Sequence, residues 1–229
     1  MESNGSAAVP VQSSGLSLKG LYEVIFSPNS FFEKLKSQPR ILVPYIFLVV
    51  AMFVGLYLMS DLSAEVQLQA MRDQGRPLPP RDILKWGSVI GGTVVMGLYP
   101  LLAAGLALFW GNVVMAGTAK FRQLLSVMLY GEVIAIIGMF VTLPLMLKKG
   151  TILVSISLGA LVTPDPKSTA FILLSRVSVW IVWEIVVVGL GFAAMYGFPR
   201  NKGYTMSVLT IGLLSVIGAL LSLLGGMFG

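Results

Sequence analysis

The sequence predicts an all-α integral membrane bundle of five transmembrane helices, led by an N-terminal amphipathic helix. Two observations carry that class. Apolar residues make up 56% of the 229 residues and charged residues only 11%, at a mean hydropathy of +0.87, a composition that cannot cover a water-facing surface. The stretch from 123 to 147, between Arg122 and Lys148, contains one ionisable side chain, Glu132. About 20 apolar residues suffice to cross the hydrocarbon core of a bilayer. Lys120 and Arg122 precede this stretch and Lys148 and Lys149 follow it, so cations reach lipid phosphates at both ends.

In chain order, residues 1–15 are small and polar and are expected to form a disordered tail. No cleavable signal peptide is expected, because the first cation is Lys19 and the first long apolar run begins at Ile41. Residues 16–38 read as amphipathic interfacial helices. Leu18, Leu21, Tyr22, Ile25 and Phe26 recur at helical spacing, Ser27 and Pro28 make an N-cap and N1 pair, and Phe31, Phe32 and Leu35 then oppose Glu33, Lys34 and Lys36. One reading places Phe31 and Phe32 below the headgroups, with Lys34 and Lys36 beside anionic lipid. The other packs the same helix on the end of the bundle.

Residues 39–229 form the transmembrane domain. Span one covers 41–59, and its stripe continues through Leu62, Val66 and Ala70, so the helix is expected to project into water. The segment 60–85 holds four anions and four cations and reads as a solvated crown. Span two, 87–111, lies in an uncharged run from Trp86 to Ala119, with an interfacial portion expected near Asn112 to Ala119. Span three is 123–147. The apolar run 151–162 is short for a span and is expected to be a re-entrant or interfacial helix. Spans four and five cover 177–198 and 204–228, with a basic turn between them.

Small residues recur every three or four positions on three spans: Ala103, Ala107 and Gly111; Gly189, Ala193 and Gly197; Gly212, Ser215, Gly218 and Ser222. Such rows let helices approach closely in lipid, within a subunit or between subunits. Trp180 and Trp183 read as interface anchors, with a ligand cage as the other reading.

Glu132 and Glu184 are the sharpest chemical signals. An ionised acid near the bilayer centre costs a few kcal/mol on insertion scales, and such groups usually face a partner, a cavity or a relay. One reading is proton or cation handling by a small transporter or ion-translocating subunit, with Arg176, two turns below Glu184, as counter-charge. The other is that each carboxyl is protonated or hydrogen-bonded and fixes helix register. Counted from the span ends, their depths differ by roughly 7 Å at ~1.5 Å per residue, which does not place them in contact.

Other chemistry is excluded by residue type. The chain has no Cys and no His, which removes thiolates, disulfides, imidazole bases and the usual zinc ligands. No span contains Asp, and no P-loop pattern occurs, so no catalytic residue, cofactor or metal is expected. The net charge of +6 comes from scattered cations, which suits lipid headgroups and not nucleic acid. Charge alone does not orient the chain, because five spans divide the 16 cations eight to each side. The basic flank of span one favours a cytoplasmic N-terminus.

SPNSFFEKLK (Ser27 to Lys36), GTAKFRQLLSVMLYGEVIAIIG (Gly117 to Gly138) and a late Trp- and Gly-rich span followed by a short turn resemble the Yip1-domain membrane proteins, in particular their bacterial branch. The likeness covers most of the chain from Leu16 onward. It implies a five-span fold, a cytoplasmic N-terminus in the bacterial inner membrane and no known enzymatic activity. Eukaryotic relatives act in vesicle traffic with Rab GTPases and with one another. Their acidic Asp-Leu-Tyr-Gly-Pro type of motif is not evident here, so the implication stops short of a GTPase partner. For bacterial relatives the implied role is a scaffold or accessory subunit, working through lipid and through other integral membrane proteins, itself or an ABC-type exporter among them.

Overall fold

Among the described residues five helices are long and apolar enough to cross a bilayer, and their order follows the predicted spans. The computed structural model describes residues 18–152, 156–161, 168–175 and 177–228, with the backbone alone for 160, 172 and 221–228. The expected tail 1–15 and Arg176 lie outside the described residues, as does the side chain of Ser222. Two short helices, α1 (Lys19–Phe26) and α2 (Pro28–Ser37), lead into α3 (Leu42–Asp73), α4 (Arg81–Leu108) and α5 (Phe121–Lys149). The short α6 (Thr169–Ser175), then α7 (Val179–Tyr196) and α8 (Arg200–Phe228), complete the order.

Helix α5 is the hub. It packs on α3, α4 and α7 and carries α1 and α2 at its N-terminal end, while α3–α4 and α7–α8 form hairpins on either side and α4 meets α8. Its spanning stretch is 72% buried, against 28% for α3 and for α4, so lipid meets mainly the outer hairpins. An apolar helix gains nothing by leaving lipid for another apolar helix, so close packing and hydrogen bonds must hold the centre. Ser126 Oγ donates to the Arg40 carbonyl at 2.9 Å, and Gln123 Nε2 donates to the Lys36 carbonyl at 3.1 Å. These bonds tie the start of α5 to the chain between α2 and α3 and to the last turn of α2. The Lys120 N–H donates to Gln123 Oε1 at 2.9 Å, one half of a capping box.

Helix α3 runs unbroken from the membrane into the crown, as the continuing apolar stripe predicts. There Asp61 pairs with Lys85 at 3.0 Å and with Arg81 at 3.5 Å, all at the surface, where such pairs contribute little.

One expectation is corrected here. Phe31 and Phe32 do not face lipid; they are buried at 6% and 0% exposure inside the bundle. Phe31 meets the Tyr130 ring edge-on at 4.6 Å, and Phe32 lies over Gly191 of α7. Of the two readings of this segment, packing on the bundle end is the one its aromatic face adopts, because α5 and α7 offer that face small and branched partners. Lys34 stays exposed and Lys36 is half-buried. In 151–162 the described residues include a 3-10 turn, Leu158–Leu161, beside an antiparallel bridge between Ser157 and Ser178. Residues 153–155 and 162–167 lie outside the described residues.

The interfacial portion expected after span two takes a specific form. A π-helical turn, Phe109–Val114, follows α4 and carries Asn112. Asn112 Nδ2 donates to the Ala119 carbonyl at 3.1 Å, and its Oδ1 accepts from the Ala119 N–H at 3.2 Å and from the Tyr196 hydroxyl at 2.7 Å. One amide thus closes the α4–α5 connection and fastens it to the end of α7. Asn112→Ala is expected to cost about 1–3 kcal/mol, because it strands three polar groups. A double-mutant cycle with Tyr196→Phe, read by unfolding in detergent, checks this; strictly additive losses would mean the bond contributes nothing.

Candidate functional site

The predicted small residues separate into those with a neighbour and those without. Ala103 and Ala107 are fully buried, and a Cβ on Gly111 would meet the Tyr196 ring. Gly189 lies 3.1 Å, as a built Cβ, from the Tyr204 Cα, so α7 and α8 touch backbone to backbone. Ala193 belongs to the same contact through Gly203, and Ser207 Oγ donates to the Ile185 carbonyl one turn further on. Gly197 is not part of this face. It sits at φ +69° and ends α7 as a left-handed cap, a turn role for which glycine is suited. Gly212 has nothing within 4 Å, and Gly218 is half-buried.

Between α5 and α7 the register is set by two close approaches. A Cβ on Gly131 would lie 2.4 Å from Val188 Cγ2, and one on Gly138 would lie 2.5 Å from the Trp180 ring. The paired numbers sum to 319 and 318, so the antiparallel partner of Glu184 is residue 319 − 184 = 135. Glu132 is three residues away, roughly 4.5 Å along the axis. Counting from the span ends overstates the separation because the helices have unequal lengths beyond the crossing.

Both carboxyls therefore reach one open cavity of about 400 Å³, lined by α4, α5, α7 and α8. Glu132 is 4% exposed and Glu184 6%. Tyr99 from α4 and Thr142 from α5 join them on its wall, with Ser215 from α8. At the end of the cavity where α7 begins, Ile156, Ser175 and Ser178 line the wall. Ser178 caps α7 by accepting from the Ile181 N–H at 3.2 Å, which holds the Trp180 turn in place. Trp180 is turned inward, against Gly138 and into the cavity. Trp183 stacks beside it at 6.4 Å between ring centroids.

Three polar atoms here find no hydrogen-bond partner among the described residues: Glu132 Oε1, Ser175 Oγ and Trp180 Nε1. Sequence reasoning identified the two acids but not Tyr99, Ser175 or the glycines that bring α5 and α7 together. The only signal for those glycines was their seven-residue spacing, Gly131 to Gly138, on the segment that carries Glu132. Among the described residues no three His, Cys, Asp or Glu side chains group as metal holders.

The model of the Yip1 domain matches residues 22–223, which takes in all five spans and the cavity. This chain belongs to the Yip1 family. A Yip1-family relative, "Membrane protein YknW" of Bacillus subtilis (strain 168), is 23% identical over 217 residues, covering 91% of this chain and 92% of the relative. No solved structure matches the chain. The Yip1 assignment and the apolar helices together make this an integral membrane protein.

Proposed function

We propose that this Yip1-family protein is a non-enzymatic scaffold or accessory subunit of the bacterial inner membrane, with its N-terminus in the cytoplasm. Its partner is another integral membrane protein, a second copy or an exporter of the ABC type, as the family resemblance implies. The observation that supports this most directly is on α4. Among the described residues Gly87, Gly91 and Gly105 have nothing within 4 Å, and they share one helix face, since 87 to 105 is 18 residues, or about five turns at 3.6 residues each. Val94, Leu98 and Leu102 continue that face at 55%, 49% and 65% exposure. Within the bundle these glycines only weaken α4, at up to ~1 kcal/mol each relative to Ala. A partner helix seated on them gives the missing side chains a purpose, since small residues in lipid permit close backbone contact.

The chain has no native Cys, so single cysteines report this face cleanly. Gly91→Cys and Gly105→Cys are expected to cross-link in native membranes to one partner of defined mass. Gly91→Leu is expected to release that partner in mild detergent while the unfolding midpoint of the bundle stays in place. Monomer alone at both positions, under conditions that cross-link a known dimer, overturns the reading.

A further inference from the structure

The acidic cavity is independent of the α4 face and needs an explanation of its own. Burying a carboxyl is costly, and this protein buries two around one space. Glu132 Oε1 has no partner among the described residues although Glu132 is only 4% exposed. No Lys or Arg lines the cavity among the described residues, which bring it two carboxyls and no cation. The rest of the wall is aliphatic, aromatic and thioether, with Ile181 and Ile211 beside Tyr99, Trp180, Met96 and Met139, and the Ser175 and Ser178 hydroxyls stand at the end where α7 begins. Carboxylates that accept, π faces that attract cations and soft sulfurs that fill gaps form one recognisable set. A volume of about 400 Å³ lies at the lower end of the range for small-molecule sites, ~300–1,000 Å³.

We propose that this cavity, walled by Glu132, Glu184, Tyr99 and Trp180, is a binding site for a small organic ammonium group, carried by a lipid headgroup or by a free solute. The ammonium occupies the space between the two carboxyls and lies against the Trp180 face. Ser175 and the Trp180 N–H serve the polar substituent beside the nitrogen. Ser175, Ser178 and Ile156 line the end of the cavity where α7 begins.

The test uses the full chain in nanodiscs made only of phosphatidylglycerol, with ethanolamine and tetramethylammonium as probes and Trp fluorescence and calorimetry as readouts. Saturable binding of both probes is expected, weakened at least tenfold by Glu184→Gln and by Glu132→Gln. Glu33→Gln, an exposed carboxylate on α2, is expected to change nothing. Replacing half the lipid by phosphatidylethanolamine assigns the source. A fall in ethanolamine affinity there identifies the lipid headgroup, and an unchanged affinity identifies a free solute; both support the ammonium site. Absence of saturable binding, binding indifferent to both Glu→Gln variants, or binding of sodium alone overturns it. So does a loss of binding on Arg176→Gln, which would mark an anion as the ligand. The cross-linking test on α4 reads none of these quantities, so the two readings fail separately.

Discussion

Gly203→Ala is expected to destabilise the bundle by about 3 kcal/mol or more, at the top of the range for overpacked sites. Its added Cβ would lie 2.2 Å from the Gly189 carbonyl oxygen, 2.8 Å from Ala193 Cβ and 3.0 Å from the Ala193 nitrogen. Each of these atoms is backbone or the first atom of a side chain, so no rotamer change relieves the contact. The helices α7 and α8 must move apart, and close-packed interiors resist even sub-ångström separation. Separation also removes the bond from Ser207 to the Ile185 carbonyl and loosens Met206 and Ile211, which are buried on the same seam. The control is Gly91→Ala, at a site with nothing within 4 Å, where the better helix former is expected to be neutral or stabilising by up to ~1 kcal/mol. Unfolding in detergent checks the pair. Equal midpoints for the two variants would mean that α7 and α8 are not held by backbone contact.

The contrast between Gly203 and Gly91 shows what one sequence does and does not make legible. Hydropathy exposes the five spans because the bilayer imposes a length that no other solvent demands. A row of small residues announces a smooth helix face, but a face becomes an interface only when another helix arrives. Gly189 and Ala193 have that neighbour and Gly212 does not, although their patterns are alike. Gly203 went unnoticed because it reads as part of the turn 199–203, whereas α8 already begins at Arg200. Glu132 and Glu184 stand out singly as acids in apolar runs. Their meeting depends on the Gly131 and Gly138 contacts, which no count from helix ends can supply. The asparagine clamp was hidden for a similar reason, since Asn112 reaches Tyr196, 84 positions away, only once the π-helical turn has directed it there.

The same reasoning explains why the amphipathic pattern of α2 left its location open. A stripe of Phe31, Phe32 and Leu35 suits a lipid interface and a bundle end equally, and shape complementarity decides between them. Phe32→Ala tests how strongly it decides. In a water-facing core the loss would be about 3–5 kcal/mol, part transfer and part cavity. Here an undocked α2 can lay Phe32 into the headgroup boundary, so much of the transfer term is recovered in the released state and the cavity term dominates. Release, not global unfolding, is therefore the expected consequence: α5 keeps α3, α4 and α7, while α1 and α2 leave Gly191, Val127 and Tyr130 uncovered. A loss of about 3 kcal/mol corresponds to roughly a hundredfold larger released population. Trypsin cutting at Lys34 and Lys36 in detergent is expected to accelerate by that order when opening is fast relative to cleavage. Tyr22→Ala, at a site 62% exposed on α1, is expected to leave the rate unchanged. Cleavage at the unaltered rate in Phe32→Ala would show that Gln123 and Ser126 hold this end of the chain without help from the aromatic face.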